Sequence, residues 1–329
     1  MMNYEEFVGM VRDNFMNYLP EEYKGRELVI NKVEKVNQTL DGLTVRENTK
    51  GQTISPTIYI NDMYRRFSEG ASLEEVFKEA SARMINAIIS NPVANIDFST
   101  AKDNIIFQLI NTEQNREMLK TMPSREFQDL SIVYRWVIAN DQTGMHSAVV
   151  TDGLANQLGL NEEELFKLAA ENTRRINPPV VKSMNDIMKE MFLKDGMPKE
   201  MIEMMLDDIP PENAMYVVTN KSGINGAASM LYEDKLFELA TKLDTNLYIM
   251  PSSIHETICV STEMGDPNEL AAMVAEVNMS DVALNERLSN QVYFYDKDLR
   301  KLTMATDTPN KRLDGIVAEA PMVYDAKVK

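Results

Sequence analysis

The chain has 329 residues, of which 44% are hydrophobic and 26% charged, and this balance excludes a disordered chain or a small disulfide-stapled scaffold. Its 34 basic and 51 acidic residues give a formal net charge of -17, which disfavours conventional nucleic-acid binding because that binding depends on lysine and arginine at phosphates. No run approaches the roughly 18 consecutive apolar residues of a membrane span, and the first residues lack a signal-peptide pattern, so we expect a cytoplasmic protein with no membrane-spanning segment.

The first part of the chain predicts a helix followed by a small antiparallel sheet. Apolar residues recur at helical spacing over residues 4–19. The next apolar stretches are short and rich in β-branched residues, and a turn-rich stretch containing Asp41 and Gly42 lies between the first two. The strand candidates are residues 28–30, 43–45 and 57–60.

Two helices are expected next, before a domain boundary. Residues 72–89 begin with a serine and carry a glutamate three positions later, which is the pattern of a capping box. A second helix is expected over residues 100–119. Pro123 then marks the predicted boundary between two units, residues 1–122 and 123–329.

The second unit predicts a larger sheet with covering helices. Residues 130–138 form the strongest strand candidate, and we expect them to pair with residues 147–150 across a turn at 141–144. Further strands are predicted at residues 215–218, 247–250, 256–260 and 292–295. Helices are predicted from Asn161, as an N-cap, and at residues 183–206, 227–243 and 267–277. From about residue 296 the chain becomes a polar, less patterned tail. The sequence therefore predicts an α+β fold with two units of antiparallel or mixed sheet covered by helices.

Methionine is abundant, with 24 residues, and it is concentrated in residues 184–205. Gly196 and Pro198 interrupt this segment, so we expect one or two helices. Flexible thioethers fill irregular cores, and they also suit adaptable binding surfaces. A core or domain-packing helix and a peptide-binding groove are both consistent with the pattern.

Metal and cysteine chemistry find little support in the composition. Cys259 is the only cysteine and lies in an apolar alternation typical of a small buried side chain. The two histidines, His146 and His255, do not form a zinc-binding spacing, and His146 lies near a predicted hairpin turn. We therefore predict no metal site and no cofactor.

The most chemical-looking segment joins two predicted strands at residues 251–256. It contains Ser252, Ser253, His255 and Glu256, which are the candidate catalytic residues. In a strand, Ser253 and His255 would share a face, whereas His255 and Glu256 would diverge. A serine nucleophile needs a base within hydrogen-bond reach. The alternative is a polar β-turn whose side chains bond to local backbone.

A second candidate segment connects a predicted strand to a helix, and its small residues would let the backbone approach a ligand closely. The candidate binding residues are Asn220, Ser222, Gly223, Asn225 and Gly226. A helix N-terminus at this position suits an anion, but neither of the common glycine-rich phosphate motifs is present. A tight packing turn is the alternative.

Several short motifs are shared with known sequences. They are Tyr18-Leu19-Pro20-Glu21-Glu22-Tyr23, Leu40-Asp41-Gly42-Leu43, Ser55-Pro56-Thr57-Ile58-Tyr59-Ile60-Asn61, Ile224-Asn225-Gly226-Ala227-Ala228 and Pro251-Ser252-Ser253-Ile254-His255-Glu256. On these motifs the chain resembles, over most of its length, an uncharacterised bacterial family known only as a domain of unknown function. The part from about residue 129 to 296 is also similar to a second uncharacterised bacterial family. Neither resemblance implies an activity.

The leading hypothesis from the sequence is a non-enzymatic binding or interaction protein that engages another protein. The acidic surface and the methionine-rich helices are the features that favour it. One alternative is a hydrolase or transferase that uses Ser252 or Ser253 with His255 and Glu256. Another is an acidic mimic of nucleic acid, and a homo-oligomer is also compatible with the sequence.

Overall fold

A computed structural model of the chain describes residues 2–46, 56–90, 98–141, 144–206, 210, 213–309 and 312–315. The helices are α1 (Tyr4–Asn14), α2 (Ile60–Ser68), α3 (Leu73–Ser90), α4 (Arg116–Leu119), α5 (Asp152–Leu158), α6 (Glu162–Ile176), α7 (Met184–Lys194), α8 (Lys199–Met205), α9 (Glu233–Leu243) and α10 (Pro267–Ser280). The strands are β1 (Glu27–Lys35), β2 (Gln38–Arg46), β3 (Thr57–Tyr59), β4 (Ile105–Asn111), β5 (Ser124–Phe127), β6 (Leu130–Asp141), β7 (Gly144–Val149), β8 (Pro179–Ser183), β9 (Tyr216–Asn220), β10 (Leu247–Met250), β11 (Thr257–Ser261), β12 (Tyr293–Asp296) and β13 (Lys301–Met304).

These elements form an α+β fold in which every recorded strand pair is antiparallel, as predicted. Contacts divide the chain into two units, Met1–Asp97 and Phe98–Lys329. The division falls earlier than the predicted boundary at Pro123. The reason is that β4 pairs along its whole length with β6, so the residues before Pro123 share a sheet with those after it.

The sheet of the first unit has the predicted three strands in the order β1-β2-β3, but its turn lies elsewhere than expected. Asn37 takes a left-handed φ of 63° in the tight turn between β1 and β2, whereas Asp41 and Gly42 lie inside β2. Gly42 is needed for packing, because a Cβ there would lie 2.6 Å from the Val33 Cγ2 and 2.8 Å from the Thr57 Cγ2. The prediction of a turn at these residues was therefore wrong.

Aromatic side chains pack the helical segments of the first unit against one another. Phe7 and Phe15 are fully buried, and each ring centroid lies 6.3 Å from that of Phe77. The predicted capping box is confirmed at the start of α3. The Ser72 N–H donates to the Glu75 carboxylate at 2.9 Å, and the Glu75 N–H donates to the Ser72 hydroxyl at 3.3 Å.

In the second unit, β6 is the centre of a four-stranded sheet, paired with β4, β5 and β7. The helix expected over residues 100–119 was wrong over residues 105–111, which form β4, although α4 lies at the end of that range. All seven residues of β4 are buried, and the Phe107 ring lies 5.2 Å from the Phe166 ring of α6. An apolar run covered on both faces lacks the alternation of a half-exposed strand, so it was mistaken for a helix. The predicted β6–β7 hairpin is confirmed, although residues 142–143 of its turn lie outside the described part.

The other sheet of this unit has six strands in the order β13-β12-β10-β11-β9-β8. Four of its strands, β9 to β12, are as predicted. The helix capped by Asn161 and the two helices of the methionine-rich segment are also as predicted. The first part of the predicted polar tail contains ordered structure, since β13 pairs with β12 and both Thr306 and Leu313 are buried. Residues 310–311 and 316–329 of that tail lie outside the described residues.

Isoleucine truncation tests the core of the first unit. Ile60 is 0% exposed and Ile89 is 72% exposed, and both lie on helices of this unit. We expect Ile60→Ala to lower the free energy of unfolding by about 2–5 kcal/mol, because it removes buried methyl groups and leaves a cavity. Ile89→Ala should stay within about 0.5 kcal/mol of the parent protein. Urea unfolding of both variants measures the difference, and equal losses would contradict this assignment of the core.

Candidate functional site

The structure brings the two candidate segments together at one end of the six-stranded sheet. β9 and β11 are antiparallel neighbours, so the turn that follows β9 meets the turn that precedes β11. The Thr219 hydroxyl donates to the His255 carbonyl at 2.8 Å, and the Ala227 N–H donates to the Ile254 carbonyl at 3.2 Å. The residues predicted for binding and those predicted for catalysis therefore belong to one junction, which is residues 219–227 with 251–256.

Asn220 organises the turn after β9. Its side-chain carbonyl accepts from the Ser222 N–H at 3.0 Å, the Ser222 hydroxyl at 2.9 Å and the Gly223 N–H at 2.8 Å. Its amide nitrogen donates to the Ile224 carbonyl at 2.8 Å. These bonds satisfy the backbone locally, as in an Asx turn. The polar groups of Asn220 and Ser222 are therefore used in shaping the turn.

Gly226 marks the closest approach of the two turns. A Cβ at this residue would lie 2.1 Å from the Thr219 Oγ1 and 2.3 Å from the His255 carbonyl oxygen. Asn225, just before it, has a left-handed φ of 52°. The small-residue segment is thus a tight packing turn, and close approach of backbone explains the glycine.

The imidazole of His255 bridges this turn and a third segment. Its Nδ1 accepts from the Asn225 N–H at 3.4 Å, which leaves Nε2 to carry the proton in the neutral ring. Nε2 lies 3.7 Å from the Glu286 Oε1. The carboxylate recorded beside the imidazole is therefore that of Glu286, while Glu256 lies half-buried just before β11.

The hydrogen bonds recorded for the two serines go to backbone groups. Ser253 is 7% exposed, and its hydroxyl accepts from the His255 backbone N–H at 3.0 Å. The Ser252 carbonyl accepts from the Leu288 N–H at 2.9 Å, within a short pairing of residues 251–254 with 286–289. In the described part of the chain, no hydrogen bond joins either serine hydroxyl to the imidazole. The structure thus brings the four candidate catalytic residues into one turn without linking a serine hydroxyl to the base.

A buried polar chain behind the junction was missed from the sequence. The Gln108 Nε2 donates to the Asn225 Oδ1 at 3.2 Å, and the Gln108 Oε1 accepts from the Arg135 Nη1 at 3.2 Å. The Arg135 Nε donates to the Ser147 Oγ at 2.9 Å, and burial lowers the pKa of Arg135. The sequence signals this chain only by one polar residue inside each of two otherwise apolar stretches, Gln108 in β4 and Arg135 in β6.

A second feature is the methionine-rich hairpin, which we define as α7, α8 and the residues between them. No side chain of α7 is fully buried, and in α8 only Ile202 is. Met204 is 84% exposed and is the extreme case. The exposed large apolar side chains of the hairpin are Met191, Leu193, Met201, Met204 and Met205. A helix pair with this much exposed apolar surface does not match the expectation of a core or domain-packing helix.

The structure bears on two kinds of feature considered from the composition, a membrane-spanning helix and a metal site. Among the helices described, none is both long enough and apolar enough to cross a membrane. Within the same residues, no group of three or more His, Cys, Asp or Glu side chains is placed to hold a metal ion. His146 is exposed on β7, and the Cys259 thiol is buried in β11.

Comparison with known proteins identifies the family alone. A model described as a family of unknown function (DUF5688) matches residues 4–297, so the chain belongs to that family. The resemblance to a family of unknown function is thereby confirmed, while the second family and the bacterial source stay predictions. No curated protein and no solved structure matches the chain.

Substitution of Gly226 tests the close approach at the junction. We expect Gly226→Ala to lower the free energy of unfolding by about 1–3 kcal/mol or more, because its Cβ has no room. Gly153 is the control, since a Cβ there would lie 3.8 Å from its nearest neighbour, the Thr151 Oγ1. Gly153→Ala should leave stability unchanged or slightly raised, because alanine favours the helix. Thermal unfolding of both variants decides, and a harmless Gly226→Ala would contradict the packing described.

The reactivity of Cys259 tests the burial of β11. Burial raises the pKa of this thiol to about 12, so at pH 8 almost none of it is the reactive thiolate. We expect no alkylation by iodoacetamide in the native protein and rapid alkylation in urea. Mass spectrometry measures the extent of alkylation in both. Because Cys259 is the only cysteine, a Cys259→Ser variant gives the background. Native alkylation at the unfolded rate would show that the thiol is accessible.

Proposed function

We propose that this member of the family is a non-enzymatic cytoplasmic binding protein. Its methionine-rich hairpin would engage an amphipathic helical segment of another protein, with basic residues beside the apolar face. The observation that carries the proposal is the set of exposed apolar side chains on α7 and α8. Large exposed apolar patches commonly mark interaction sites, because leaving them in water is unfavourable.

The chemistry of the hairpin suits an adaptable helical ligand. Methionine side chains are flexible and polarisable, so they can follow the shape of different apolar partners. Met201, Met204 and Met205 have the spacing that puts them on neighbouring positions of one helix. A helix laid along α7 and α8 would cover them, as in other complexes where an amphipathic helix enters an apolar groove.

Charge complementarity favours a basic partner. From Met184 to Leu206 the sequence has five acidic residues and three basic ones, and Asp207 and Asp208 follow directly. The whole chain carries -17. One of the three lysines, Lys199, lies in an ion pair, with its Nζ 3.7 Å from the Glu203 carboxylate. A basic segment would be attracted to this region, and its association would slow as salt rises.

Binding is favoured over hydrolysis by the arrangement at the junction. The Ser253 hydroxyl accepts a hydrogen bond from a backbone N–H, and the imidazole of His255 contacts Asn225 and Glu286. A serine nucleophile would require that hydroxyl to reach the imidazole. Mimicry of nucleic acid would require two rows of acidic side chains at phosphate-like spacing, whereas the exposed apolar side chains of α7 and α8 favour a protein ligand.

A labelled peptide tests the proposal directly. The probe is an amphipathic helical peptide of 18 residues with leucine on one face and lysine on the other. Fluorescence anisotropy of the labelled peptide measures its binding. We expect saturable binding that weakens at least about tenfold in the double variant Met201→Ser/Met204→Ser, because two apolar contacts are lost. The matched control is Met264→Ser/Met273→Ser, which changes two exposed methionines elsewhere in the same unit.

Three outcomes would overturn the proposal. One is an equal loss of affinity in the control variant, and another is equal binding of a peptide in which glutamate replaces lysine. The third is a dimer in analytical ultracentrifugation that the hairpin variant dissociates, since the occupant would then be a second copy of this chain. Selective loss in the hairpin variant, with a preference for the lysine peptide, supports it.

A further inference from the structure

The first unit contains a cavity that the proposed function does not use. It has a volume of about 200 Å³ and is formed by β3, α2 and α3. Apolar side chains from all three elements line it, among them Ile58, Met63, Val76 and Ala80. An apolar cavity of about 150 Å³ is enough to hold benzene, so this one has room for a single ring or a short branched chain.

Charged side chains surround the same cavity, and most of them are already paired. Arg66 lies 3.1 Å from the Glu79 carboxylate, and both line the cavity. Asp62 also lines it, and its carboxylate lies 3.1 Å from Arg65, which is not among the lining residues. The two lining carboxylates are therefore each neutralised by an arginine.

Arg83 is different from the other lining arginine. It lies one helical turn after Glu79 on α3, so its guanidinium is on the same side of the helix. No ion pair or hydrogen bond of Arg83 is recorded among the residues that the structure describes. Of the four charged residues in the lining, Arg83 is thus the one without a recorded ion pair in the described part of the chain, and it lies beside the apolar side chains of the same cavity.

We propose that this cavity binds a small organic monoanion, namely a carboxylate whose apolar body is no larger than a single ring. The carboxylate would accept two parallel hydrogen bonds from the guanidinium of Arg83, which is the geometry that arginine favours. The apolar body would occupy the space between Ile58, Met63 and Val76. Both parts are needed, since the charge selects the anion and the cavity selects its body.

Calorimetry with two probes that share one aromatic ring tests the site in the full chain at fixed ionic strength. Benzoate carries the carboxylate, and benzyl alcohol has the same ring with a neutral group. We expect saturable benzoate binding, with benzyl alcohol at least about tenfold weaker because it lacks the charge-assisted hydrogen bonds. Inorganic phosphate, which has charge and no apolar body, should not compete with benzoate at equal concentration.

Two exposed arginines give a matched pair of variants. Arg83→Gln should weaken benzoate binding about tenfold and leave benzyl alcohol binding unchanged, whereas Arg12→Gln, on α1 and away from the cavity, should leave both unchanged. Both residues are exposed, so neither change threatens folding. The proposal is overturned if benzoate does not saturate below about 10 mM, if both probes bind equally, or if Arg12→Gln weakens benzoate binding as much as Arg83→Gln.

Discussion

The contact of Gly226 with Thr219 and the His255 carbonyl is the constraint on which the junction of the second unit depends. Because no side chain fits there, the backbone of one turn lies directly on the other. As a result, the Asn225 N–H donates a hydrogen bond to the imidazole of His255, and the Asn225 side chain accepts one from Gln108. Gln108 belongs to the four-stranded sheet, and His255 precedes a strand of the six-stranded sheet, so one glycine positions polar bonds between both sheets.

Most elements of the fold were predictable where local chemistry agrees with the final structure. The capping box at Ser72 and the cap at Asn161 are determined within four residues, so the sequence indicated them without tertiary information. β4 was not predictable by periodicity, because both of its faces are covered and every position is apolar or buried. The turn at Asn37 was missed because Gly42 is a stronger turn signal than asparagine, although here its role is packing.

The candidate site was predictable as a set of segments and not as a set of contacts. Both turns were identified from their composition, and neighbouring strands bring them together. Glu286 and Gln108 could not be found, since their positions relative to His255 and Asn225 depend on pairing between distant parts of the chain. The exposure of the apolar side chains of α7 could not be predicted for the same reason. Sequence spacing shows which side chains share a helix face, but it does not show whether another element covers that face.

The edges of the six-stranded sheet have a consequence for association between chains. An outermost strand presents unpaired backbone groups that can add to the edge of another sheet and start aggregation. β8 carries Pro179 and Lys182, and β13 begins with Lys301. Proline removes a backbone donor, and lysine is costly to bury between stacked edges. The Lys182 ammonium is also held 2.6 Å from Glu190 on α7, so the hairpin that offers an apolar surface stands beside an edge that resists strand addition.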